Sequence, residues 1–363
     1  MTLSSRQLFW MMFTFQIGDM FLLMISTTIQ KAGQDAWISH IIGSLLAIAV
    51  VYVAIKVGEQ YPDKTFVNLA IGLVGKFFGI IIVILYFIQW LSVIPMIFVE
   101  SANFINTILL PKTAISALYI IIILLLIYVM YQNGIETIGL MSEVFGPVIL
   151  LSLVVMCLLT IPEYNFKLIF PIVVDQSLLD IGKGALSPFS FLGKSVVILV
   201  LIYFVKDGTN VVKSVLSGMA AAAIVSGILL FGVLFTFGPE VSAAMLYPVF
   251  DMTSYIFVMN FIQNVEILTV FVAMLSIFIK LTIYFFLIVH VFATLFNIKN
   301  WRTVSLFIAP VVFISSLMIP TVSSVLDYVN TFWIYLALPL HMILIPLILL
   351  IVSKIKQTYS TEK

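Results

Sequence analysis

The sequence predicts an all-α polytopic membrane protein: ten transmembrane helices in a five-plus-five inverted repeat, with helices 1 and 6 broken. Three observations predict it. The 363 residues are 63% hydrophobic and only 9% charged, a balance foreign to soluble domains. The apolar residues fall into stretches of roughly 20, the length a helix needs to cross a bilayer. Charges stand in the middle of the first and sixth stretches, each directly after a glycine.

In chain order the expected spans are residues 7–29, 37–57, 77–109, 114–131, 139–161, 178–205, 212–237, 260–296, 303–319 and 329–353. The third and eighth exceed what a bilayer requires, so they should tilt or project an interfacial turn. Asn260-Phe261-Ile262-Gln263-Asn264 reads as such a turn. The first span has only Arg6 before it and no small-residue cleavage pattern after it, so it is expected to be retained. Lys and Arg set the orientation. With the N-terminus inside, the inner side collects Arg6, Lys56, Lys64, Lys76, Lys206 and Lys213, then Lys299, Arg302, Lys354, Lys356 and Lys363. The outer side holds Lys31, Lys112, Lys167 and Lys183. Both termini are therefore expected in the cytoplasm, in agreement with an even number of spans.

The longest outer connection, residues 162–177, divides the chain into expected repeats at 7–161 and 178–353. Span 1 contains Phe15-Gln16-Ile17-Gly18-Asp19. Span 6 contains Ser187-Pro188-Phe189-Ser190-Phe191, followed by Leu192-Gly193-Lys194. Both carry aliphatic–Gly–charge at mid-depth. A charge at the bilayer centre costs about 2.5–3.5 kcal/mol on insertion scales. Pro188 removes a backbone donor. Both helices should break, and in an inverted repeat their breaks meet at the midplane.

At a break, one half-helix ends in free carbonyls and the next begins with free N–H groups. The N-terminal end carries roughly +0.5 charge and suits a carboxylate; the carbonyls suit an ammonium group or a cation. Together they suit a free amino acid or a similarly small polar solute. The ligand-binding residues predicted here are Gln16, Ile17, Gly18, Asp19, Phe189, Phe191, Gly193 and Lys194. Asp19 has three readings: a cap for the second half of span 1, a partner for Lys194, or a reader of the ligand's ammonium group.

Other polar residues at depth extend the set. Glu100 shares a helical face with Tyr86, Trp90, Val93 and Ile97. Trp90, Ile97 and Glu100 join the predicted site as an outer wall or gate; the alternative is an interfacial Glu100 that reaches water. Glu143 lies near the inner surface. Lys280 is 14 residues from Glu266, roughly 21 Å of helix, so the two cannot pair. Lys280 is expected to mimic the cation of an ion-coupled site rather than to snorkel. His40, His290 and His341 are isolated and read as structural.

Several classes are excluded. The one cysteine, Cys157, forms no internal disulfide, and no Cys/His metal cluster exists in the sequence. No nucleophile–base pair or phosphate loop is present, so neither an enzyme nor a cofactor is expected. Basic patches with aromatics are lacking, so nucleic acid is not an expected partner.

Further stretches then come together: Ser4-Ser5-Arg6-Gln7-Leu8-Phe9, Gln34-Asp35-Ala36-Trp37-Ile38-Ser39, and Tyr61-Pro62-Asp63-Lys64-Thr65-Phe66. Tyr255-Ile256, Asn260 through Glu266, and Phe278-Ile279-Lys280 follow in order. With Phe15-Gln16-Ile17-Gly18, these make a chain that resembles the endospore germination permeases. Those are the B subunits of nutrient germinant receptors, within the amino acid–polyamine–organocation superfamily. The resemblance implies a ten-span transporter-like fold and a site in the spore inner membrane. It also implies assembly with a receptor A subunit and a lipoprotein C subunit. The B subunit would sense a nutrient and signal to the A subunit, which is linked to ion release. Asp19 and Lys194 depart from the family pattern, which has a small or polar residue at the first position and Gly-Glu at the second. Their opposite signs suggest mutual compensation. The expected function is thus a germinant receptor B subunit; the alternative is an amino acid transporter coupled to protons through Asp19, Glu100 or Lys280.

Overall fold

Ser4 opens the first helix, α1 (Ser5–Asp19), with a reciprocal cap. Its hydroxyl accepts from the Gln7 N–H at 3.2 Å, and the Gln7 amide oxygen accepts from the Ser4 N–H at 3.0 Å. The structure, a computed structural model, describes residues 2–170, 177–206, 208–256 and 265–361. After Asp19 the backbone widens into a π-helical turn, Met20–Met24, and continues as α2 (Ile25–Ala32). A short turn through Gly33 leads to α3 (Ala36–Glu59). Then come α4 (Phe66–Val74), α5 (Lys76–Ile108), α6 (Ile115–Gln132) and α7 (Ile135–Thr160).

The second part begins with α8 (Leu178–Gly193), which tightens into a 3-10 turn, Lys194–Val197, before α9 (Ile198–Leu201). It continues with α10 (Val211–Ala244), α11 (Pro248–Ser254), α12 (Glu266–Leu295) and α13 (Trp301–Leu317). The last rod is α14 (Val322–Tyr328), a π-helical stretch Val329–Leu344, and α15 (Ile345–Thr361).

Eight helical stretches among the described residues are long and apolar enough to cross a membrane, where the sequence reading counted ten. The difference has two sources. The π turn divides the first rod, leaving α1 with 15 residues, and α13 has 17. Neither alone reaches the roughly 20 residues of a crossing. The expected interfacial turn at Asn260–Asn264 lies outside the described residues.

The expected breaks take a different form as well. Both are changes of helical pitch, not unwound gaps. Met20 and Lys194 keep right-handed helical backbone angles. Hydroxyl groups explain how the first rod tolerates its widening. Thr27 donates to the Leu23 carbonyl at 2.7 Å, and Thr28 to the Met24 carbonyl at 2.6 Å. The carbonyls that the π turn loosens are thus satisfied within the rod.

Two rods form the centre. In the most apolar part of the α8–α9 rod 94% of residues are buried, and in that of α12 83%, against 33% in α6 and α7. Hence α8–α9 and α12 lie inside and the others wall them. Helix α1 packs on α12, α10 and α7, and α3 packs on α8. Gly43 sets the α3–α8 approach: a Cβ there would stand 2.4 Å from the Ala185 carbonyl oxygen. The outer surface carries exposed Leu45, Leu124, Leu151 and Phe307, as a lipid-facing belt requires. At the start of α1, the Leu3 N–H donates to the Phe204 carbonyl at 2.6 Å, and the Lys206 N–H donates to the Leu3 carbonyl at 2.9 Å. This short parallel bridge ties the N-terminal strap to the end of the α8–α9 rod.

Candidate functional site

Asp19, Lys194 and Lys280 meet in the middle of the bundle. Asp19 closes α1, Lys194 begins the 3-10 turn after α8, and Lys280 lies within α12. All three are buried. Asp19 Oδ2 forms an ion pair with Lys194 Nζ, and Oδ1 forms one with Lys280 Nζ. Lys280 also donates a hydrogen bond to Oδ1, while the Lys194 contact lacks hydrogen-bond geometry. The Lys194 ammonium sits 5.1 Å from the Phe191 ring centre and 5.7 Å from that of Phe15. One carboxylate therefore neutralises one of two buried cations, and two aromatic faces help to hold the other.

The local sequence explains the convergence. Gly18 lets α1 come against the α12 backbone: a Cβ there would lie 3.3 Å from Ile277 N and from Ser276 C. That approach carries the next residue, Asp19, within reach of Lys280, one helical turn beyond Ser276. Gln16 joins α1 to the other rod by donating through Nε2 to the Leu192 carbonyl at 2.9 Å and to Ser195 Oγ. The Thr27 and Ser187 hydroxyls bond across the same interface at 2.7 Å.

A cavity of about 40 Å³ opens beside the cluster. That is room for about three or four waters at roughly 10–15 Å³ each. Asp19, Ile97, Glu100, Phe191, Lys194 and Lys280 line it, together with Leu23, Val93 and Met96. Val325, Tyr328, Val329 and Trp333 of the α14 rod form the remaining wall. A larger hollow of about 510 Å³ between α7 and α10 is lined by apolar side chains and holds no charged group, so it is not the centre of polar chemistry. Glu100 is buried, and its Oε1 has no hydrogen-bond partner among the described residues. Between α10 and α11, burial pushes the Tyr247 phenol up in pKa, and the Glu100 carboxylate adds to that shift.

Other residues predicted for the site stand elsewhere. Trp90 packs against Phe66 and Tyr86, outside the cavity lining. Phe189 and Gly193 lie beside each other, with the Met342 sulfur 3.2 Å from where a Gly193 Cβ would be. Ile17 is buried in the core. Glu143, which the sequence sets near the inner surface and outside the site, pairs with Arg6. The α14 wall went unread in the sequence because its apolar and aromatic residues suit lipid as well as a pocket. Among the described residues, no group of three or more His, Cys, Asp or Glu is placed to hold a metal ion.

One pitch change falls in the first rod and one in the α8–α9 rod, the charge cluster lies between them, and long apolar helices wall them. The profile of the spore permease family, described as spore germination protein, matches residues 2–325. The chain belongs to that family. Spore germination protein KB of Bacillus subtilis (strain 168) is 22% identical over 97% of this chain and 94% of its own length. Spore germination protein XB of Bacillus anthracis is 22% identical over 73% of this chain and 74% of its own. The match to spore germination protein YndE of Bacillus subtilis (strain 168) is 23% identical and covers 53% of each chain, about half the length of that relative.

Solved structures give the fold. A nucleobase-cation-symport-1 family transporter, closed with bromovinylhydantoin bound, superposes with a TM-score of 0.62 at 14% identity, over 86% of this chain and 70% of that one. A Na+-coupled sialic acid symporter in a substrate-bound outward-open state gives 0.64 at 12% identity, over 92% and 76%. The chain thus has the five-plus-five inverted-repeat transporter fold. Its family is one of permeases rather than enzymes.

Proposed function

We propose that the chain is a permease of spore germination that takes a small amino acid at the Asp19–Lys194–Lys280 cluster and moves it with protons. The observation that carries this reading is a buried charge cluster beside a small cavity, at the pitch changes of the first rod and the α8–α9 rod, in a transporter fold. Lys280 supplies a covalently attached cation between α1 and α12, in the manner of an ion-site mimic. Asp19 and Glu100 are the acidic groups available to exchange protons. The pathway needs ten crossings, counting α1 with its π turn and α13 as spans, with repeats near 7–161 and 178–353 and both termini in the cytoplasm. A cavity of about 40 Å³ is smaller than an amino acid, so one wall must move for entry.

Family membership favours a second reading at the same site. Here the chain is the B subunit of a germinant receptor in the spore inner membrane. Solute binding would favour one arrangement of the rods and signal to an A subunit and a lipoprotein C subunit. Uptake of radiolabelled amino acids into proteoliposomes containing only this chain separates the two. Accumulation that follows an imposed pH gradient is expected for the permease. Saturable binding without accumulation would reject it in favour of the sensor.

A further inference from the structure

The cavity is electrically polarised. Asp19 sits between two lysines, so with both amines protonated that cluster carries one positive charge in excess. Glu100, on another wall of the same cavity, carries the opposite charge in its ionised form. No ion pair joins Glu100 to either lysine, and its buried Oε1 accepts no hydrogen bond among the described residues. The indole Nε1 of Trp333, which is 3% exposed, is a buried donor without an acceptor among the described residues. Buried polar atoms are rarely left unpaired, because each forfeits its hydration. Glu100 with its free acceptor and Trp333 with its free donor both line this small cavity, and the pair complements a molecule that offers an ammonium group to the first and a carboxylate to the second.

We propose that Glu100 and Trp333 fix the direction in which a zwitterionic solute lies: ammonium on Glu100, carboxylate on the Trp333 N–H and turned toward Lys194. The assignment rests on the amino-acid reading above. Lys194 has three N–H donors and meets Asp19 on one side, so it can also serve the solute carboxylate. The two ends of the solute then neutralise the two excess charges of the pocket. Met96, Ile97 and Val325 are left for the substituent on the α-carbon. Trp333 becomes a specificity-determining residue supplied by the last rod.

The test uses alanine, ethylamine and propionate, which share a carbon frame and carry both charged groups, only the ammonium, or only the carboxylate. Each is titrated against the thermal unfolding midpoint of the purified full chain, in wild type and in Glu100→Gln, Glu100→Asp and Trp333→Phe. Glu100→Gln should raise the half-saturating concentrations of alanine and ethylamine by about tenfold or more and leave that of propionate within about twofold. Trp333→Phe should weaken alanine and propionate and spare ethylamine. Glu100→Asp keeps the charge and should hold alanine above propionate; it stands in if the Gln variant does not fold. If alanine stabilises the wild type and the variants respond like it, or weaken all three probes alike, the orientation is overturned and the permease reading survives. If alanine does not stabilise the wild type, the amino-acid reading falls and takes this assignment with it.

Discussion

Asp19 holds two buried ammonium groups with a single carboxylate, an arrangement that is stable only as a set. Removing the anion strands both cations in a low-dielectric core, and breaking a buried pair from one side costs about 3–5 kcal/mol. Asp19→Asn is therefore expected to lower the thermal midpoint sharply. Adding Lys194→Met should recover part of the loss, since an apolar side chain then replaces a stranded charge. A double-mutant cycle with simply additive losses would show that Asp19 and Lys194 do not stabilise one another. The aromatic faces of Phe15 and Phe191 are expected to soften the loss at Lys194 but not at Lys280, which has no such ring contact among the described residues.

Helices here are positioned by what they lack. α3 lies on α8 because Gly43 presents no Cβ to the Ala185 carbonyl. Gly43→Ala should force the pair apart and cost about 1–3 kcal/mol, as overpacked cores do. Gly182, on α8, has nothing among the described residues within 4 Å of its Cβ position. Gly182→Ala should leave the fold intact and raise stability by about 0.4–1 kcal/mol through the unfolded chain. Thermal unfolding of the two variants side by side checks the argument, because a general dislike of alanine in these helices would move both the same way. The π turn after Asp19 follows similar logic. The Ser26, Thr27 and Thr28 hydroxyls of α2 take up its loosened carbonyls, so the main chain there is less exposed than a true gap would leave it.

Across the whole molecule, the first rod is fastened to the α8–α9 rod at two levels. Gln16 ties it to the α8–α9 rod at mid-depth, and the Leu3 bridge ties its start to residues 204–206. A carrier that alternates between two openings has to release one fastening while keeping another. Leu3→Pro removes the N–H that Phe204 accepts. Hydrogen–deuterium exchange should then quicken over residues 202–206 and the first turn of α1, and stay unchanged at the Asp19 cluster. Exchange that stays slow over 202–206 would mean the bridge fastens nothing.

The sequence by itself determined the class and picked out two anomalies, because lipid penalises a charge so heavily that Asp19 and Lys194 stand out in an apolar run. It also placed Glu100 and Ile97 on one helical face, since a helix repeats every 3.6 residues whatever surrounds it. Only the tertiary structure decided that Lys280 is the second partner of Asp19, that Trp90 packs away from the cavity, and that Trp333 closes it. Those outcomes depend on how far one helix slides and turns against another. Close packing at Gly18 and Gly43 sets that docking, and no local pattern of residues encodes it.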